Sequence, residues 1–296
     1  FQAEDGIRDV ERSRGLGDVY KRQAYKKYLR DQREAEGPRE TAHGTLGRGS
    51  MAGSCSRKIG LEMLGDVAET EPIEDNTLVA FHTGSHLHDL LQQAMIQEWG
   101  MQVEVECDLR PLGYDISGHA DGVYGDIANG GIETVCWELK TKTAFGFNLA
   151  RKSFEPEVHE VAQAAMYAMA LKCDAVHLVY LAKDSQYGRN PIRAGETVEW
   201  ILPMDQPVPG DGRTPRQIAG AEATRINAIA SEVRDKLLPE RFIPEHGSVG
   251  SVPSPDSRDG HWRCRYCNFN SLCSTLPAHQ IPLDSILVPR RETANG

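Results

Sequence analysis

Three residues in the middle of the chain have the types and spacing needed to hydrolyse a phosphate ester. Asp121 lies in the glycine-containing segment SGHADGVYG, and Glu138 and Lys140 stand two apart in the apolar segment TVCWELK. Because side chains of a strand alternate between its faces, Glu138 and Lys140 share one face. Carboxylates are ligands for Mg²⁺ or Mn²⁺, and a lysine beside the cation can orient or deprotonate an attacking water. The spacing therefore predicts a divalent-metal site for phosphodiester hydrolysis.

The same spacing also has a purely structural explanation. Glu-x-Lys pairs are common on exposed strand edges, where the two side chains form a solvated ion pair of little energetic weight. The catalytic interpretation therefore depends on the residues that surround the pair.

A group of cysteines is the second candidate for metal chemistry. Cys264, Cys267 and Cys273 form the pattern C-x2-C-x5-C, and a fourth thiol, Cys55, stands far upstream. Four thiolates satisfy either a tetrahedral zinc ion or a cubane iron-sulfur cluster, so the spacing alone leaves both open. Two histidines are alternative fourth ligands: His261 and His279.

The elements around these residues alternate between helix and strand. Periodicity predicts helices over 55–64, 78–99, 155–171 and 214–238, and strands over 103–109, 114–124, 134–140, 175–181 and 197–202. The strand that carries Glu138 is rich in apolar residues and is expected to be central. In the first strand, Glu104, Glu106 and Asp108 alternate with apolar residues and are expected to face solvent. The pattern predicts one α/β domain with a cysteine-bearing C-terminal extension.

Composition and charge limit the class of protein. The 296 residues are 40% hydrophobic and 26% charged, with a net charge of -10, which is typical of a soluble globular protein without a general attraction to nucleic acid. Any polyanion must then be bound through cations or a local basic patch. No apolar run reaches the ~18 residues that span a bilayer, and the chain shows no export signal, so we expect a cytoplasmic protein that does not contact membranes.

Seven cysteines in a chain of this length indicate reduced thiols rather than a disulfide framework. Three of them lie within or beside apolar segments and are predicted to be small buried hydrophobic residues: Cys107, Cys136 and Cys173.

Loop-like segments divide the chain. Residues 1–23 lack apolar periodicity and resemble translated sequencing-adapter DNA, so we interpret them as non-native. The further expected regions are a flexible N-terminal region (24–50), the α/β core with the helix that follows Cys55 (51–244), a Pro/Ser/Gly linker (245–260), the cysteine region (261–278) and a loosely held tail (279–296).

In order and spacing, the motif residues resemble the PD-(D/E)XK nuclease superfamily, and within it the RecB-like branch that includes the iron-sulfur exonucleases of CRISPR adaptation and related phage exonucleases. The resemblance covers residues 53–273. Beyond the first three residues, it rests on six others: Gly84, His88, Gln163, Tyr167, Lys183 and Asp184. The proline of the family's name is replaced by Ala120.

The resemblance implies a fold and an activity. The implied fold is a restriction-endonuclease-like core, with a mixed central sheet flanked by helices, and a helical subdomain stapled by a [4Fe-4S] cluster. The implied activity is that of a Mg²⁺- or Mn²⁺-dependent DNA exonuclease in phage recombination, DNA repair or CRISPR adaptation. Proteins of those pathways are its candidate partners.

The resemblance also implies roles for individual residues. The implied ligands of the catalytic metal are His88, Asp121, Glu138 and the Leu139 carbonyl, with His86 and His119 as competing histidines. Lys140 is the implied catalytic lysine, and Gln163 and Tyr167 are implied to steady the site and contact substrate. The implied cluster ligands are Cys55, Cys264, Cys267 and Cys273.

Basic residues flank the cluster cysteines and are predicted to form a wall that guides single-stranded DNA: Arg57, Lys58, Arg263 and Arg265. Ordinary solvated charges explain these residues equally well. An alternative function is a DNA-end binding or recruitment module with a vestigial nuclease site and a structural zinc or iron-sulfur cluster. The joint presence of Asp121, Glu138 and Lys140 favours the enzyme.

Overall fold

The structure, a computed structural model, describes residues 23–33, 44–65, 67, 70, 73–126, 133–188, 190–241, 264 and 267–286. The predicted linker over 245–260 lies outside the described residues, as do residues 1–22 of the segment interpreted as non-native. None of the helices in the described ranges is long and apolar enough to cross a membrane.

The elements alternate largely as the periodicity predicts. The helices are α1 (23–33), α2 (Ser56–Met63), α3 (Asp75–Trp99), α4 (Ala144–Ser153), α5 (Val158–Leu171), α6 (Pro215–Arg234) and α7 (Asn270–Thr275). The strands are β1 (Gly47–Arg48), β2 (Gln102–Asp108), β3 (Ile116–Asp126), β4 (Glu133–Lys142), β5 (Ala175–Ala182), β6 (Thr197–Pro203), β7 (Leu237–Leu238) and β8 (Ile281–Pro282).

The main sheet is mixed, as the resemblance implied. Its strands follow the order β1-β3-β4-β5-β6, and β2 also pairs with β3. The β4–β5 and β1–β3 pairs are parallel, whereas β2–β3, β3–β4 and β5–β6 are antiparallel. All eight residues of β5 are buried, and β4 lies beside it at the centre of the sheet. The central position predicted for the strand that carries Glu138 is confirmed.

Helices cover both faces of this sheet. The larger core lies on the side of α5 and α6 and includes Cys136, Val161, Met166 and Ile226. The smaller core lies on the side of α3, where Trp137 and Leu139 of β4 pack against apolar residues of that helix. Alternate residues of β4 therefore enter opposite cores, which leaves Glu138 and Lys140 on the α5 side.

The prediction missed one helix. Helix α4 begins after Thr143, whose hydroxyl accepts a hydrogen bond from the Gly146 amide, and buries Phe147. Its exposed Phe145 and Leu149 conceal the amphipathic period in the sequence, because apolar residues occur on both faces. The helix expected over 155–171 begins three residues later, at Val158.

The N-terminal region contributes a helix and a strand. In β1, Gly47 pairs with Ile116 of β3, and Thr45 and Gly49 are buried beside it. Residues 23–33 form α1, whose Leu29 is buried. The flexibility expected over 24–50 stays a prediction.

The C-terminal region packs against α2. Phe269 and Leu272 form a small core with Leu61, Val67 and Leu238. Strand β8 pairs with β7, and its Ile281 is buried, so the beginning of the tail is held in place. The loosely held tail expected over 279–296 stays a prediction, and its residues 287–296 lie outside the described ranges.

Candidate active site

Strands β3 and β4 bring the two predicted carboxylates together. Gly122 pairs with Trp137, so the preceding Asp121 stands next to Glu138 in the antiparallel register. The Leu139 amide donates a 2.8 Å hydrogen bond to Asp121 Oδ2, which fixes the carboxylate against the neighbouring strand. Leu139 thus contacts the site through its amide. The role of its carbonyl as a metal ligand stays a prediction.

Lys140 is tied to Glu138 both directly and through helix α5. Its Nζ donates to Glu138 Oε1 at 2.7 Å and to Gln163 Oε1 at 3.1 Å. The Gln163 amide nitrogen donates in turn to Glu138 Oε1 at 2.8 Å. The three side chains form a closed hydrogen-bonded triangle, so the position of the ammonium group is set by two elements of the fold.

Helix α3 contributes a histidine to the same place. His88 Nδ1 lies 3.5 Å from Asp121 Oδ2. Burial lowers the pKa of His88, so the imidazole is neutral near pH 7 and retains a lone pair for a metal ion. The competing histidines are directed elsewhere, since His119 is exposed and the His86 side chain is 78% exposed, 3.9 Å from Asp89.

Glu138 has an unsatisfied acceptor at this site. The residue is 1% exposed, and its Oε2 is buried without a hydrogen-bond partner among the described residues. Burial, reinforced by the charge of Asp121, raises the pKa of Glu138 to about 7 despite the adjacent ammonium group. Burial also raises the pKa of Asp121 to about 6. A divalent cation would satisfy the open oxygen and offset both charges, so the donor set fits Mg²⁺ or Mn²⁺.

Lys140 is held in its charged form. Burial alone would lower its pKa, but the nearby carboxylates of Glu138 and Asp121 outweigh burial and raise it. A lysine that stays protonated is suited to orienting a water or stabilising negative charge, and it is unsuited to removing a proton. The geometry thus favours the first of the two roles considered for this lysine.

We expect the affinity for Mn²⁺ to rise with pH as Asp121 and Glu138 lose their protons, over the window from about 6 to about 7. Protons compete with the cation below this window, so affinity should fall roughly tenfold between about pH 8 and about pH 6. The stability of the metal-free protein changes in the opposite sense: carboxyls with raised pKa stabilise the fold fully below their ordinary pKa near 4, and this contribution is lost as the pH rises from there to about 7. Calorimetric titration with Mn²⁺ at several pH values measures the first effect; a flat profile would contradict these pKa shifts.

A second group of oxygen and nitrogen ligands lies nearby but is already occupied. Ligand atoms of Glu157, His159 and Glu160 lie within 4.8 Å of one another. Lys142 Nζ lies 2.7 Å from Glu157 and 2.8 Å from Glu160, so an ammonium group already neutralises these carboxylates. The orphaned oxygen of Glu138 makes the first group the better cation site.

Tyr167 packs in the core beneath the site. It is 3% exposed, and burial raises the pKa of its hydroxyl. Its ring lies between two glycines, since a Cβ atom on Gly118 or on Gly49 would overlap with it. Tyr167 also forms a side-chain hydrogen bond with Gln163, which reaches the carboxylate of Glu138. Its contact with substrate stays a prediction.

Two residues at the site were not identified from the sequence. Gln92 lies one turn after His88 on α3, is 6% exposed, and donates from Nε2 to Glu104 Oε1 at 2.7 Å and to the Asp121 carbonyl at 2.9 Å. Glu104 has φ 50 in the middle of β2, in the left-handed region that non-glycine residues seldom adopt. The spacing of four between His88 and Gln92 was a usable signal for Gln92. The alternation of β2 predicted a solvent-facing Glu104, and the residue is exposed as predicted, while its Oε1 also accepts a hydrogen bond from Gln92.

The four predicted cluster cysteines lie near one another. Burial raises the pKa of Cys264, Cys267 and Cys273, and the Cys55 thiol is among the neighbouring groups that raise each of them further. None of the seven cysteines, all of them within the described ranges, forms a disulfide. The other three are buried, as predicted: Cys107, Cys136 and Cys173.

Arg57, which the sequence placed in a DNA-binding wall, is 1% exposed. Its guanidinium donates to the main-chain carbonyls of Pro239, Pro277, Ala278 and His279, at 2.6–3.2 Å. The donors of Arg57 are used inside the protein, so the structure gives no support to its predicted contact with DNA, which stays a prediction. Lys58 is partly exposed and lies 3.7 Å from Glu62; Arg263 and Arg265 lie outside the described residues.

Comparisons with known proteins identify one family. A family model of the PD-(D/E)XK nuclease superfamily matches residues 83–274. Similar solved structures include SSO0001, with TM-score 0.43 and 15% identity, where the alignment covers 77% of this chain and 85% of the other. They also include an alkaline exonuclease, LHK-Exo, from Laribacter hongkongensis, with TM-score 0.38, 17% identity and coverages of 61% and 78%. Its complex with dAMP gives TM-score 0.40 and 15% identity over the same shares. A search of curated proteins finds no match.

Proposed function

The chain belongs to the PD-(D/E)XK nuclease superfamily, and we propose that it is a metal-dependent DNA exonuclease that hydrolyses phosphodiester bonds. Its place would be in recombination, repair or CRISPR adaptation, where DNA ends are trimmed. One observation carries the proposal: the buried Glu138 leaves an oxygen without a partner beside Asp121, His88 and a charged lysine.

His88, Asp121 and Glu138 would hold Mg²⁺ or Mn²⁺, with the Leu139 carbonyl as a further ligand. The cation would neutralise the scissile phosphate and offset the net charge of -10, which otherwise opposes DNA binding. Lys140 would orient the attacking water and stabilise the negative charge that develops on the phosphate. Gln163 would keep Lys140 in place, since its amide bonds both Lys140 and Glu138.

Cys55, Cys264, Cys267 and Cys273 would ligate a [4Fe-4S] cluster. The proximity of the four thiols supports this assignment. The cluster would join the beginning of α2 to the C-terminal region, next to the hydrogen bonds of Arg57. Its role would be structural, since it closes the domain from outside the catalytic site.

The test is a cleavage assay on single- and double-stranded DNA labelled at either end. We expect nucleotides to be released from the ends when Mg²⁺ or Mn²⁺ is added, and release to stop when the metal is chelated. Comparison of the two labelled ends gives the polarity. DNA binding without cleavage at any metal concentration would contradict the enzyme and favour the DNA-end binding module.

A further inference from the structure

Glu104 presents a third carboxylate to the site from an unusual backbone position. The β2–β3 pairing joins Val103 to Gly122 and Val105 to Ala120, so Glu104 stands at the level of Asp121. Its φ of 50 departs from strand geometry at this one residue of β2. A regular strand would need no such departure, and left-handed backbone at a bulky residue is retained only where surrounding contacts enforce it.

The contact that enforces it is Gln92. One amide nitrogen, Gln92 Nε2, donates both to Glu104 Oε1 and to the main-chain carbonyl of Asp121. Gln92 is buried and lies one turn along α3 from His88. The same helix face thus binds Asp121 through His88 and Glu104 through Gln92, and it holds both acidic residues in one cluster.

Glu104 also acts on the site through its charge. The Glu104 carboxylate interacts electrostatically with both Asp121 and His88. A further negative charge beside two carboxylates is unfavourable unless a cation is present, and the unpartnered Oε2 of Glu138 independently indicates a cation at this place.

We infer that Glu104 is a positioning residue of the metal centre, which strengthens the binding of the divalent cation beside Asp121 without being one of its predicted ligands. This inference rests on the proposed metal-dependent function. The charge of Glu104 is the property that matters, since it adds attraction for the cation, while its hydrogen bond to Gln92 keeps that charge in place.

The test compares two substitutions on the same strand. Glu104→Gln removes the charge but retains an oxygen that can accept from Gln92, so the contact between α3 and β2 is preserved. Glu106→Gln removes an equal charge two residues away, outside the contact with Gln92. Calorimetric titration of the full chain with Mn²⁺ measures the affinity of each variant for the cation. Asp121→Asn removes a predicted ligand, so the heat of binding that it abolishes is the heat of binding at this site.

For Glu104→Gln we expect Mn²⁺ to bind roughly 10- to 100-fold more weakly, with unchanged stoichiometry and an unchanged Tm of the metal-free protein. Glu106→Gln should bind as the wild type does. In the cleavage assay, Glu104→Gln should need more Mn²⁺ for half-maximal rate but recover its rate at saturating Mn²⁺. If Glu104 had only a structural role, the substitution would lower the Tm, and the rate at saturating Mn²⁺ would fall together with the apparent affinity for Mn²⁺.

The outcomes separate the inference from the function on which it rests. Wild-type affinity in Glu104→Gln would overturn the inference while leaving the nuclease intact. If Glu104→Gln binds Mn²⁺ more weakly than the wild type does, and the wild type cleaves no DNA, the inference is supported and the proposed function is overturned. A wild-type protein that binds no Mn²⁺ at this site would overturn both.

Discussion

Replacing Lys140 with alanine should reduce the rate of metal-dependent DNA cleavage by about 10²- to 10⁴-fold. The ammonium group is the one cation that contacts Glu138 in the described site, and both the carboxylate and Gln163 hold it in place. Its removal takes away the positive charge that orients water and stabilises the phosphate. Single-turnover cleavage of end-labelled DNA at saturating Mn²⁺ measures the effect.

The matched control is Lys152→Ala, which removes an exposed lysine from α4 and should cleave as the wild type does. The Tm of Lys140→Ala should also be recorded, because Glu138 loses one of its two hydrogen-bond donors in this variant. Equal degradation by Lys140→Ala and wild type would refute the catalytic assignment, whatever the metal.

Cys55→Ser should remove the iron-sulfur cluster. Anaerobically purified wild-type protein should be brown, with broad absorption near ~400 nm and about four irons per chain, and the variant should lose both the colour and the iron. Limited proteolysis should then cut faster in the region after residue 264, because the cluster would no longer join it to α2.

Cys173→Ala provides the control, since Cys173 is buried away from the four cluster thiols and its loss should leave the iron content unchanged. A colourless wild-type protein with one zinc per chain would contradict the cluster. Full iron retention in Cys55→Ser would show that another residue, such as His279, provides the fourth ligand.

The catalytic strands could be predicted because their signals are local. The two-residue period of β4 places Glu138 and Lys140 on one face, and the antiparallel pairing of β3 with β4 brings Asp121 beside them. Four-residue spacing on α5 likewise identifies Gln163 and Tyr167 as neighbours. It does not indicate which of them reaches the site, because that depends on the depth of each residue in the core.

The remaining features depend on contacts that are distant in sequence or on unusual backbone. Glu104 is exposed, as the alternation of its strand predicts, and nothing in the neighbouring sequence encodes its left-handed φ or its contact with Gln92. The burial of Arg57 depends on carbonyl groups 182 to 222 residues away, which carry no side-chain signature. A basic residue beside cysteines therefore resembles a surface charge until the fold is known.

The hydrogen bonds of Arg57 have a consequence for how the C-terminal region tolerates substitution. Four main-chain carbonyls accept hydrogen bonds from its guanidinium: those of Pro239, Pro277, Ala278 and His279. A carbonyl is present whichever side chain the residue bears, so this attachment survives amino-acid replacement at 277–279 as long as the backbone path is kept. Most of the sequence requirement is thereby concentrated in a single arginine, while the segment that it holds can vary.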